Sequence, residues 1–127
     1  MHGTLKLLNK TSQLEIAQNV RIADSFYARA KGLLGERGLP NGQTLWIKGT
    51  RFTACNSIHT WFMSFRIDVV FVDDNLKVKA VYENLGPWRM TWPVAGATSV
   101  FEFAAGSLRT DSDTCAITVG DQLHVGH

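Results

Sequence analysis

Hydrophobic and polar positions alternate along most of this chain. Leu5 and Leu7 flank Lys6, and Leu14, Ile16, Val20 and Ile22 repeat the two-residue period around a polar break at Gln18 and Asn19. Alternation puts successive side chains on opposite faces of an extended backbone, so the chain is expected to open with short strands. The period then lengthens. Phe26, Ala30, Leu33 and Leu34 recur at helical spacing, Arg29, Lys31 and Glu36 take the other side, and Asp24 and Ser25 are good capping residues. This spacing predicts one amphipathic helix over 25–34. Gly35 stands where a left-handed terminator is wanted, and Gly38, Pro40, Asn41 and Gly42 extend the break into a loop.

From Leu45 onward the pattern is that of a β protein. Residues 45–47, 60–72, 77–85, 99–103, 115–119 and 122–125 are rich in β-branched and aromatic side chains and read as strands. Asp73, Asp74 and Asn75 supply a short hairpin loop, Gly86 and Pro87 end one strand, and Gly120 with Asp121 joins the last two. A parallel α/β sheet would need a helix after nearly every strand, and only one helix is predicted. The expectation is therefore a mainly β protein, a compact sandwich or partly closed barrel of short strands with one helix. With 127 residues it is expected to form a single domain spanning 1–127.

The segment from Cys55 to Asp73 is the densest in information. Read as one extended run, its odd positions are His59, Trp61, Met63, Phe65, Ile67, Val69 and Phe71, and these are expected to face the core. Its even positions include Thr60, Ser64, Arg66 and Asp68. By that parity His59 and Asp68 lie on opposite sides, and they meet only if a bulge or bend intervenes near 64–66.

Several motifs of this chain, in order, resemble those of one family. They are Lys31 to Gly35 at the helix end, Ile58 to Met63, Ile67 to Asp73, Pro87 to Arg89, Ala104 to Gly106, and Gly120 to Leu123. Together they resemble the uncharacterised bacterial and archaeal family numbered 192 among the domains of unknown function. Two positions depart from the family pattern: Arg66 stands where a proline is usual, and Trp61 where a second phenylalanine is frequent. The resemblance implies a small, mainly β, sandwich-like domain and no established reaction.

Composition narrows the partners. A hydrophobic content of 45% and a charged content of 19% belong to a soluble globular protein. Thirteen Lys and Arg against eleven Asp and Glu leave a net charge of only +2, scattered rather than gathered into runs, so no nucleic-acid partner is expected. No stretch approaches the roughly 18 consecutive apolar residues of a transmembrane helix, so no transmembrane segment is expected. The segment MHGTLKLLNK has neither the apolar run nor the cleavage site of a secretory signal. A cytoplasmic location is expected if this N-terminus is native, and export if a signal peptide has been removed. Cys55 and Cys115 are the only two cysteines, too few for a four-cysteine zinc site and too far apart for a CxxC motif. They are read as two half-buried thiols.

Each candidate chemistry competes with a plain structural explanation. Cys55 and His59 have the residue types of a thiolate–imidazole pair, but four positions bring side chains together on a helix and this stretch reads as loop and strand. His2, His59, His124, His127, Asp68 and Asp121 show no metal-ligand spacing, so neither metal nor cofactor is expected. Asp68 with Glu102 has the composition of an acid–base pair. The simpler readings are an ion pair of Asp68 with Arg66 or Arg89, and a Glu102 facing water. Gly32, Gly35 and Gly38 follow a helix, whereas a phosphate-binding loop precedes one. The strongest binding signal is aromatic: Trp61, Phe62, Trp88 and Trp92, the last two in the Gly-Pro-punctuated stretch 85–93, have the character of a ligand platform. The expectation is a non-enzymatic binding or accessory module for a protein, peptide or saccharide. Its candidate binding residues are His59, Trp61, Asp68, Trp88 and Arg89, none of them catalytic. The alternative is a small hydrolase using His59 with Asp68 or Cys55.

Overall fold

A computed structural model describes residues 4–23, 42–48, 65–86 and 89–127. The predicted helix over 25–34, His59, Trp61, Cys55 and Trp88 lie outside them. Among the described residues there are eight strands: β1 (Lys6–Asn9), β2 (Leu14–Ala17), β3 (Asn19–Ala23), β4 (Gln43–Lys48), β5 (Ile67–Val72), β6 (Val78–Leu85), β7 (Ser99–Ala104) and β8 (Leu123–Gly126). They form a three-stranded sheet, β2-β1-β8, and a five-stranded sheet, β3-β4-β7-β5-β6. The fold is mainly β and sandwich-like, as the alternation predicts, and it is not a closed barrel. Every pairing is antiparallel except β3 with β4.

The polar break at Gln18 is where β2 ends and β3 begins in the other sheet. Gln18 and Asn19 both donate backbone N–H bonds to the Gly42 carbonyl, at 2.8 and 3.2 Å, so the corner is tied to the start of β4. One predicted strand, 115–119, is not formed. Cys115 makes an isolated bridge to Arg109, and the Thr118 N–H is taken by the Asp121 carboxylate at 2.9 Å. Side-chain bonding there consumes the backbone groups that a ladder would need.

Two apolar clusters lie on the two faces of the five-stranded sheet. Between the sheets, Leu7, Ala17 and Leu123 of the small sheet meet Val70, Val72, Phe101 and Phe103, with Leu108 and Ile117 closing the end. Trp46 stacks on Phe101 with ring centroids 5.1 Å apart. On the opposite face Leu45, Ile47, Ile67, Val69, Phe71 and Val100 form the second cluster. All six residues of β5 are buried, which is why it reads as a near-continuous apolar run with a single charge. The odd-position parity is right about Ile67, Val69 and Phe71, but the even positions are equally buried because this strand has a core on both sides.

A buried polar centre holds the small sheet in place. Asn9 is fully buried and satisfies its whole carboxamide: Nδ2 donates to the Ala116 carbonyl (3.0 Å) and to Asp121 Oδ2 (2.8 Å), while Oδ1 accepts the N–H groups of Thr11 and Ser12. The Gly120–Asp121 motif is thus a turn, with Gly120 at φ +94°, whose acid anchors β1.

Candidate functional site

Asp68 is the one charge on β5, and no part of it is exposed. Its carboxylate accepts three backbone N–H bonds, from Asn84 to Oδ1 (2.8 Å) and from Gly106 and Leu108 to Oδ2 (both 3.1 Å). The register explains the first. Ile67 pairs with Leu85 and Val69 with Tyr82, so Glu83 and Asn84 together oppose Asp68 in a bulge, with Asn84 at φ +57°. The bulge turns the Asn84 N–H out of the ladder, and Asp68 receives it. Its other oxygen receives the turn that follows β7. One side chain therefore ties β5 to two pieces of irregular backbone, and a buried carboxylate is tolerable because charge-assisted bonds replace its water.

Asp68 and Glu102 do not form a carboxylate pair. Asp68 is aligned with Phe103, and Glu102 with Val69, so the two acids sit in successive rows of neighbouring strands and emerge on opposite faces. Glu102 does not face water either. It is fully buried on the face that carries Val69 and Val100. Arg66 donates from Nη1 to the Asn84 carbonyl at 3.1 Å. Its guanidinium lies against Gly86, just past β6, where a Cβ would sit 3.2 Å from Nη1, a contact that a small shift of the exposed arginine relieves. Arg66 thus holds the far side of the same bulge.

Beside the bulge is an open cleft of about 330 Å³ lined by Asp68, Glu83, Asn84, Ala105, Gly106 and Arg109. At its mouth Arg109 Nη2 meets Glu83 Oε2 at 2.6 Å, and the Glu83 carboxylate beside it raises the Arg109 guanidinium above its usual value. Sequence reasoning passed over both residues. Glu83 sits unremarkably between Tyr82 and Asn84, and no spacing links it to a position 26 residues on. Near them Cys115 is a free thiol whose Sγ donates to the Ile117 carbonyl. Burial pushes its pKa up, which keeps it a thiol rather than a nucleophilic thiolate at neutral pH.

The other unusual surface follows β6. Arg89 is exposed, Met90 is 65% exposed and Trp92 85%, whereas Thr91 between them is only 4% exposed. Val94 and Ala97 pack against the second core cluster. The segment is thus anchored at Thr91 and again at Val94 to Ala97, and its two large apolar side chains turn outward. Of the five candidate residues, the described part of the structure contains Asp68, at the base of the cleft, and Arg89, on this segment. Trp92 was legible as part of an aromatic stretch. Met90 was not singled out, although its two-residue spacing from Trp92 is the signal that would have found it.

Among the described residues, no group of three or more His, Cys, Asp or Glu is gathered to hold a metal, and no helix is long and apolar enough to cross a membrane.

Similarity to other proteins agrees with the motif pattern. The UPF0127 protein of Pyrococcus horikoshii is 37% identical over 100 residues, covering 79% of this chain and 84% of its own length. The UPF0127 protein of Pyrococcus abyssi is 32% identical over 119 residues, covering 92% and 94%. A crystal structure of a protein of unknown function from Novosphingobium aromaticivorans superposes with a TM-score of 0.71 at 19% identity, covering 94% of this chain and 82% of the other, and so shares the fold. The model of the uncharacterised ACR family DUF192 matches residues 7–125, and this chain belongs to that family, whose function is unknown.

Proposed function

We propose that the protein is a non-enzymatic binding module whose contact surface is the Arg89–Trp92 segment. The observation that carries this reading is the outward presentation of Met90 and Trp92 from a backbone held inward by Thr91. Two large apolar side chains kept in water on an anchored segment bring nothing to the core, and aromatic residues so placed are the usual anchors of protein and saccharide contacts. Arg89 adds an exposed cationic residue to the same surface. The hydrolase reading is weaker because the Asp68 oxygens are already occupied by three backbone donors, which leaves this carboxylate poorly suited to orient an imidazole or take a proton.

The test is binding of the purified chain and of its Trp92→Ala variant to arrays of immobilised peptides and glycans. The parent is expected to bind a subset that the variant loses, with unchanged melting behaviour. Equal binding by both proteins, or turnover of ester substrates that disappears in Asp68→Asn, overturns the reading.

A further inference from the structure

The cleft beside the β6 bulge holds more than structural support requires. Asp68 needs its backbone donors, but Glu83 and Arg109 stand at the surface, their side chains 29% and 44% exposed. Exposed ion pairs add at most about 1 kcal/mol to folding, so this one is readily rearranged. Both residues line the cleft. Arg109 uses Nη2 for Glu83 and Nη1 for the Asp113 carbonyl, which leaves several of the five guanidinium N–H donors for another acceptor. Glu83 is engaged through Oε2, with Oε1 left to a second donor. The inner wall is small: Ala105 is exposed, and a Cβ on Gly106 would meet nothing within 4 Å.

The walls are also fixed in place. Asp68 holds Asn84 on one side and Gly106 and Leu108 on the other, the Ser107 N–H bonds to the Ala104 carbonyl, and the Arg109 N–H to that of Gly106. A cation and an anion side by side on a rigid wall, above a floor without bulky side chains, complement a ligand carrying the opposite pair. A simple anion is repelled by Glu83 and by Asp68 at the base, and a simple cation gains nothing from Arg109, whereas a zwitterion meets both members of the Glu83–Arg109 pair.

We propose that this cleft binds a small zwitterion of the free α-amino acid class, its carboxylate on Arg109 and its ammonium on Glu83. A volume of about 330 Å³ admits a small aliphatic member of that class with room for water beside it. The cleft is open and covers little of its ligand, which sets a weak affinity, with a Kd on the order of 1 mM. The site is independent of the Met90 and Trp92 surface.

The experiment is an amide NMR titration of the whole chain with L-alanine, and separately with acetate and with methylammonium, at constant ionic strength. L-alanine is expected to give saturating shifts at Asn84, Gly106 and Arg109, and each half-ligand to bind roughly tenfold more weakly. Ala105→Trp, which fills the cleft from an exposed position, and Arg109→Gln are each expected to remove the saturating response, with unaltered shifts in the core strands showing that the variants fold. Linear, unsaturated shifts with all three compounds overturn the proposal. So does acetate binding as tightly as L-alanine, or a response that survives Ala105→Trp.

Discussion

Asp68 and Trp92 invert the ordinary rule of where polar and apolar groups belong. The carboxylate has no exposed surface and the indole is 85% exposed, yet the two inversions have different physical meanings. Asp68 has replaced its water with three backbone donors, so its burial is part of how the irregular backbone at the end of the sandwich is held. Trp92 keeps its water, and what is anchored is the backbone at Thr91, not the ring. An unusual residue with every bond made inside the chain is architecture. One whose chain is fixed but whose side chain is left in solvent adds little to the fold, and on the proposed reading it serves a contact outside the chain.

The comparison breaks most sharply at Asp68. Asp68→Ala strands the N–H groups of Asn84, Gly106 and Leu108 and is expected to lower stability by about 3 kcal/mol, read from denaturant melts at constant slope. Asp68→Asn keeps one acceptor but turns an amide donor toward backbone donors, and should recover only part of the loss. Asn9→Ala comes next, at about 2 kcal/mol, since it removes four bonds of a buried carboxamide but leaves Asp121 with the Thr118 N–H and hydroxyl.

Asp73 sharpens the comparison because it performs the same chemistry near the surface. Its Oδ1 accepts the N–H groups of Lys77 and Asn75 in the β5–β6 hairpin, both at 2.9 Å. The Lys77 bond is the main cause of a pKa below the ordinary 3.8, opposed by partial burial and aided by Asn75 and by Lys79. A folded-state pKa below the unfolded value contributes stability that is present above about pH 4 and lost as pH falls through the lower folded value. Acid titration of Asp73→Asn against the parent should therefore show the difference between them shrinking below that point. The smallest effect belongs to Trp92→Ala, expected to change stability by no more than about 0.5 kcal/mol. A larger loss would mean that the ring supports the fold and does not present itself to a partner.

The strands were legible where alternation was sustained. Gln18 marked the corner between β2 and β3, Asp73 to Asn75 marked the hairpin, and the apolar run from Ile67 to Val72 marked a strand of the core. Residues 115–119 misled because β-branched composition is silent about whether side chains have already claimed the backbone, as Asp121 does at Thr118. The parity around Asp68 placed it away from the odd-numbered core positions without showing that a second core lies on its own side. Its partners were invisible for a further reason: they are backbone N–H groups, which every residue but proline carries, brought near by a bulge with no sequence signature of its own. The pairing of Glu83 with Arg109 likewise depends on a tertiary neighbourhood and not on spacing.

The position of β7 has a consequence for how the chain is made. It lies between β4 and β5, and β1, already beside β2, finds its second partner only in β8, Lys6 aligning with Gly126. During synthesis the β5–β6 hairpin can form as soon as its turn emerges, but it has no link to β4 until residues 99–104 arrive between them. The small sheet has to wait longer still. Until β8 appears, β1 and β2 are a lone ribbon of two four-residue strands with no ladder on the other edge, too little to persist in water. Assembly that depends on such distant pairings is intrinsically slow. The nascent chain therefore carries β4 and β5 each with one edge unpaired until β7 emerges, and that interval is when it is most exposed to aggregation.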